Sequence, residues 1–98
     1  MEIISTIKGK IPPKKVKEFK EGYEKLKTIT LPEGMNSFYL LQDASDPDAY
    51  IIVAVMENEE ALQRMQGSKE TPVRDLFINM QAEPVLKVFK MIDKFPEI

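Results

Sequence analysis

The 98-residue chain contains no cysteine, no histidine and no tryptophan. Without cysteine there is no disulfide, no thiolate nucleophile and no thiolate-bound metal, and the usual mark of a small secreted scaffold is missing. Without histidine the chain lacks the side chain that ordinarily moves protons at neutral pH, and the ordinary ligand of zinc and heme iron. Long apolar runs are missing too. No stretch approaches the ~20 residues that a bilayer-spanning helix needs. The start, MEIISTIKGK, has neither the basic opening nor the long apolar segment of a signal peptide. These absences point to a cytoplasmic protein with no membrane partner, no metal and no cofactor.

The chain has 14 basic and 16 acidic residues, for a net charge of -2, but the two signs are segregated. Residues 1–29 hold eight lysines and four glutamates, whereas residues 33–60 hold seven acids and no base. A nucleic-acid site needs a basic face across the binding surface. Here only the first helical segment is lysine-rich, which reads as a solvated helix face. The length suits one domain, residues 1–98, since domains of about 100–150 residues are the most common.

Residues 2–8, EIISTIK, read as a first strand closed by Gly9, and Pro12-Pro13 suit the first turn of a following helix. Val16, Phe19, Tyr23 and Leu26 form one apolar stripe at helical spacing, and the helix should end between Thr28 and Leu31. Asn36–Asp43 and Ala49–Met56 read as a strand pair joined by a turn at Asp46-Pro47-Asp48. Asn58 is placed to cap an acidic helix start, Gly67 and Ser68 interrupt that helix, and Thr71-Pro72 restarts it. Val85–Ile92 is the last strand. The order β-α-β-β-α-β predicts an α+β, ferredoxin-like fold with a four-stranded antiparallel sheet. Strands three and four are apolar at both parities, so the sheet face without helices needs a cover. A second copy of the chain is the simplest one, giving a homodimeric α+β barrel.

The run EGMNSFYLLQDASDPDAYIIVAVMENEEAL, residues 33–62, carries a more specific pattern. It combines Gly34 in a turn, Ser37-Phe38 in a strand, Asp43 with Asp46-Pro47 and Tyr50 around a hairpin, and Glu57-Asn58 followed by Glu60-Ala61-Leu62 at a helix start. In these elements the chain resembles the antibiotic biosynthesis monooxygenase domain. The resemblance implies a dimeric α+β barrel with a pocket between sheet and helices in each subunit. Relatives include cofactor-independent oxygenases acting on polycyclic phenols and quinols, and heme-degrading enzymes. The family's tryptophan before the Glu-Ser step falls at Met56, and its histidine after Glu-Ala-Leu falls at Met65. The residues argue against heme degradation. No asparagine lies between Glu2 and Lys8, the tryptophan of the second helix is Met65, and the later histidine falls in the Arg74-Asp75 region.

Cofactor-free oxygenation needs mainly a desolvated pocket that favours a phenol's anion. Arg74 is the candidate to stabilise such an anion, Tyr23 and Tyr39 are candidates to hydrogen-bond it, and Met56 and Met65 are candidates to face the pocket, with Met80 nearby. Each also has a plainer reading: a solvated arginine in a helix's first turn, a tyrosine on the core stripe, methionines that fill gaps. Asp43, Asp46 and Asp48 suggest calcium, yet the loop lacks the glycine and distal glutamate of an EF-hand and reads as a hairpin turn. The expected function is therefore a cofactor-independent monooxygenase acting on a small phenol- or quinol-like aromatic. Two alternatives are a non-catalytic, small-molecule-binding or stress-related barrel, and an RNA-binding ferredoxin-like domain, which would need aromatics on the central strands and basic flanks.

Overall fold

The computed structural model describes residues 2–67 and 72–96. Its strands are β1 (Ile3–Lys10), β2 (Met35–Gln42), β3 (Ala49–Met56) and β4 (Val85–Lys90). They form one sheet in the order β2-β3-β1-β4, and every neighbouring pair is antiparallel. A short 3-10 turn at Pro13–Lys15 leads into α1 (Val16–Leu26), while α2 (Glu59–Gln66) and α3 (Pro72–Asn79) lie between β3 and β4. This is the ferredoxin-like α+β arrangement, with its second helix divided in two. Among the described residues no helix is long and apolar enough to cross a membrane.

Local chemistry explains where the elements begin and end. β1 continues through Gly9, which sequence reading makes a strand end, because Gly9 pairs with Tyr50 and Lys10 with Ala49. Glycine is needed there for close approach: a Cβ at position 9 would lie 2.7 Å from Phe77 Cδ1 and 3.2 Å from Ala82 Cβ. α1 stops at Leu26, short of the expected end, where the hydroxyl of Thr28 donates to the carbonyl of Lys25 at 2.7 Å and competes with further helix. The side chain of Asn58 accepts the Ala61 backbone N–H at 2.9 Å, capping α2 as expected. The cap expected at Thr71 lies outside the described residues. β4 ends at Lys90, although Met91 N–H still donates to Glu2 O at 3.1 Å. Its partner β1 begins at Ile3, so no ladder remains for Ile92.

The hairpin turn is held by its acids. Asp43 accepts the N–H groups of Ser45 (2.8 Å) and Asp46 (3.3 Å) and pairs with Lys8 Nζ at 2.9 Å, while Asp46 pairs with Lys10 at 3.1 Å. The Lys8 ammonium, followed by the Ser45 N–H, holds the Asp43 carboxyl below its usual range. Among the described residues no group of three acidic side chains is placed to hold a metal ion.

All helices cover one face of the sheet, and two clusters form beneath them. The larger centres on Phe19, whose ring meets Tyr50 at 5.4 Å and Phe77 at 5.2 Å between centroids, with Ile7, Ile11 and Ile52 buried around it. The smaller joins Ile3, Met56, Ala61 and Leu62. On the opposite face no helix packs. Tyr39 and Leu41 on β2, and Val85 and Phe89 on β4, stay 43–54% exposed.

Candidate functional site

The helix-facing side of the two central strands reads as a ladder of rungs: Gly9 opposite Tyr50, Ile7 opposite Ile52, Ser5 opposite Ala54, Ile3 opposite Met56. Ile7 and Ile52 belong to the larger cluster and Ile3 and Met56 to the smaller. Between them the Ser5–Ala54 rung carries two small side chains, and there the layers do not close. A cavity of about 1140 Å³ opens at this rung. Ligand pockets typically measure roughly 300–1,000 Å³, so the space suits a polycyclic aromatic molecule.

The cavity floor is Ser5, Ile7, Ile52 and Ala54, extended by Phe38 on β2 and Leu86 on β4. One wall is the chain leaving α1, from Leu26 through Ile29 and Leu31 to Glu33. The other wall is the last turn of α2, with Arg64 and Met65, and the first turn of α3, Pro72–Asp75. Gly34 draws the two walls together. It has φ +88°, and a Cβ there would fall 2.4 Å from Ala61 Cβ. Only glycine lets α2 sit this close to the turn before β2. The Glu57 N–H donates to Gly34 O at 2.7 Å and ties the same turn to the end of β3.

The candidate residues separate on this geometry. Met65, half-buried, and Arg74, exposed, both line the cavity, one at the end of α2 and the other at the start of α3. Met56 lies on the same side of the sheet but is fully packed against Ile3, Ala61 and Leu62 and does not reach the lining. Met80 is likewise buried in the larger cluster. Tyr23 is buried with its ring edge-on to Phe38 at 5.8 Å, and Lys27 Nζ lies 5.4 Å from the ring centroid. It supports a lining residue from behind rather than lining the cavity. Tyr39 pairs with Val53 on the helix-free face, so the sheet separates it from the cavity.

Sequence reasoning overlooked Arg64. A signal was available: Arg64 is the first base after Lys27, and it follows Ala61 by three residues, which places it beside the helix stripe that faces Gly34. The cavity thus combines an apolar floor, hydroxyls from Ser5 and Thr30, carboxylates from Glu33 and Asp75, and guanidinium groups from Arg64 and Arg74. Such a site can bind a flat apolar body and stabilise negative charge at its rim.

The profile of the family described as antibiotic biosynthesis monooxygenase matches residues 3–71. No curated protein gives a significant match. Solved structures share the fold. A candidate antibiotic biosynthesis monooxygenase from Deinococcus radiodurans superposes with a TM-score of 0.77 at 11% identity, covering 98% of both chains. SnoaB, a cofactor-independent oxygenase from Streptomyces nogalater, superposes at 0.71 with 15% identity over 98% of both chains. A conserved protein from Bacteroides thetaiotaomicron superposes at 0.68 with 19% identity, over 90% of this chain and 95% of that one. With the family profile spanning β1 through the end of α2 and the fold agreeing throughout, the chain belongs to the antibiotic biosynthesis monooxygenase family.

Proposed function

We infer that this protein is a cofactor-independent monooxygenase that oxidises a small phenol- or quinol-like aromatic in the cavity over Ser5 and Ala54. The observation that carries this reading is the coincidence of the family match with a ligand-sized cavity that has an apolar floor and two arginines at its rim. In the reaction, a phenol with an open para position loses its proton and the anion transfers an electron to dioxygen. The radical pair combines at carbon, and loss of water from the resulting peroxide leaves a quinone. One oxygen atom enters the product, the other leaves as water, and the substrate supplies the electrons.

The protein's part is to bind, desolvate and stabilise charge. Arg74 holds the phenolate, and Ile7, Ile52, Phe38 and Met65 exclude water. The proton acceptors in the lining are Glu33 and Asp75. A carboxylate is a weaker base than a phenolate, so proton transfer to it is uphill. This favours substrates whose anions are delocalised over several rings. The chain assembles as a homodimer through the helix-free face, where a second sheet would cover Tyr39, Leu41, Val85 and Phe89.

One observation favours a second reading, a non-catalytic, ligand-binding barrel. The positions that resemble the family's tryptophan and histidine are Met56 and Met65, and Met56 is sealed in the core. Oxygen uptake with a panel of anthrones, quinols and simple phenols separates the two. Uptake that falls at least tenfold in Arg74→Ala supports the monooxygenase. Binding without uptake across the panel supports the second reading. Met65→Asp should abolish binding in either case while light scattering still finds a dimer, because the cavity and the helix-free face lie on opposite sides of the sheet.

A further inference from the structure

Arg64 and Arg74 are the basic residues of the cavity lining. Neither arginine makes an ion pair with another described residue, although both line a cavity whose rim also holds Glu33 and Asp75. Asp75 is engaged elsewhere, and Glu33 does not come within ion-pair distance of either guanidinium. Arg64 is not a random surface group. Its Nη2 lies 3.5 Å from the point a Cβ on Gly34 would occupy, so the guanidinium rests over the turn that closes the cavity wall.

We propose, on the reading that this cavity is the ligand site, that Arg64 and Arg74 form an anion clamp and that the ligand is an aromatic carboxylate. Its flat body lies over Ile52, Ala54 and Phe38, and its carboxylate, beside the phenolate oxygen that Arg74 also reaches, points outward between the guanidiniums. The guanidinium fork matches a carboxylate's two oxygens, and charge-assisted hydrogen bonds of this kind are the strong ones. The apolar floor sharpens the effect, because a low-dielectric surround strengthens the attraction between opposite charges. The clamp also performs a task that shape alone cannot: it orients a flat ligand that could otherwise enter either way round.

The test uses two probes with the same ring system, 2-anthracenecarboxylate and 2-anthracenemethanol, titrated by fluorescence into the full chain. Wild type should bind the carboxylate at least tenfold more tightly than the alcohol. Arg64→Gln and Arg74→Gln should each weaken carboxylate binding three- to tenfold and leave the alcohol unchanged, and the double variant should lose the preference. Arg64→Lys, which keeps charge but not the fork, should fall between wild type and Arg64→Gln, with thermal melts verifying that each variant is folded. Equal binding of both probes by wild type overturns the clamp and leaves the cavity reading standing. Binding of neither probe overturns both. A carboxylate preference that survives in the double variant also overturns the clamp, since the anion would then be recognised elsewhere.

Discussion

Two rungs on the same strands behave in opposite ways. At Gly9–Tyr50 the sheet and helices meet in a sealed core under Phe19 and Phe77, both wholly buried. Two rungs further along, at Ser5–Ala54, the layers stand apart over a cavity of about 1140 Å³ that Ile7 and Ile52 border. The strands, the face and the helices are shared. What differs is side-chain volume and the path of the covering chain: α1 supplies Phe19 and Tyr23 over the first rung, whereas beyond Leu26 it gives way to an irregular segment over the second. The comparison teaches that one end of the molecule carries stability while the other can stay open for a ligand.

The largest test of this division is Phe19→Ala. Phe19 is fully buried and touches two other rings, so its truncation should cost about 3–5 kcal/mol. That is a large part of the roughly 5–15 kcal/mol that stabilises a typical domain. Urea denaturation measures it. A loss below about 1 kcal/mol would mean that the core is not concentrated at this end.

Gly34→Ala addresses the open end and ranks second. An L-residue at φ +88° is strained, and the new Cβ would fall 2.4 Å from Ala61 Cβ, which cannot rotate away. Backbone strain of about 1–2 kcal/mol and overpacking of about 1–3 kcal/mol should combine to roughly 2–5 kcal/mol. Because α2 must shift, ligand affinity should fall as well. Retained affinity alongside lost stability would show that the α2 wall is not part of the site.

These two positions also mark what could be read in advance. Phe19 belongs to a stripe of regular spacing, and such periodicity reports which face of an element is buried. The fold was legible for this reason, as were the cap at Asn58 and the hairpin of Asp43–Asp48. The site was legible only in part. Met65 and Arg74, to which a family pattern pointed, line the cavity. Met56 was expected beside them but is covered by Ala61 and Leu62, since Gly34 lets α2 come so close, and that distance is set by tertiary packing. Tyr39 was drawn in by its chemistry, although strand parity alone places it opposite Leu40 and so on the other face from Phe38. Arg64 was overlooked because nothing local distinguishes a helix-end arginine over a glycine turn from a solvated one.

Ala54→Leu should sharpen the comparison by making the open rung resemble the closed one. The added side chain enters the cavity from its floor, where it has room, so stability should change by less than about 1.5 kcal/mol. Ligand binding should fall by at least tenfold, about 1.4 kcal/mol. Unchanged affinity for an aromatic probe would place its site away from Ser5 and Ala54.

The smallest expected effect lies at the closed end and has the opposite sign. α3 ends with Gln81 at φ +62°, and its N–H donates to Ile78 O at 2.9 Å while the Ala82 N–H donates to Phe77 O at 3.1 Å. These are the two bonds of a Schellman cap, in which glycine is the usual residue at the left-handed position. The cap turns the chain so that Met80 and Ala82 enter the core around Phe77. Gln81→Gly relieves the left-handed strain but adds freedom to the unfolded chain, so the two contributions partly cancel. A net gain of about 0.5–1 kcal/mol should remain, raising Tm by a few degrees in a chain of this size. Ligand affinity should not move, because Gln81 does not line the cavity. A changed affinity in this variant would join the two ends energetically, through Phe77 and Leu76 on the same helix as Arg74. The sealed rung would then be setting the shape of the open one.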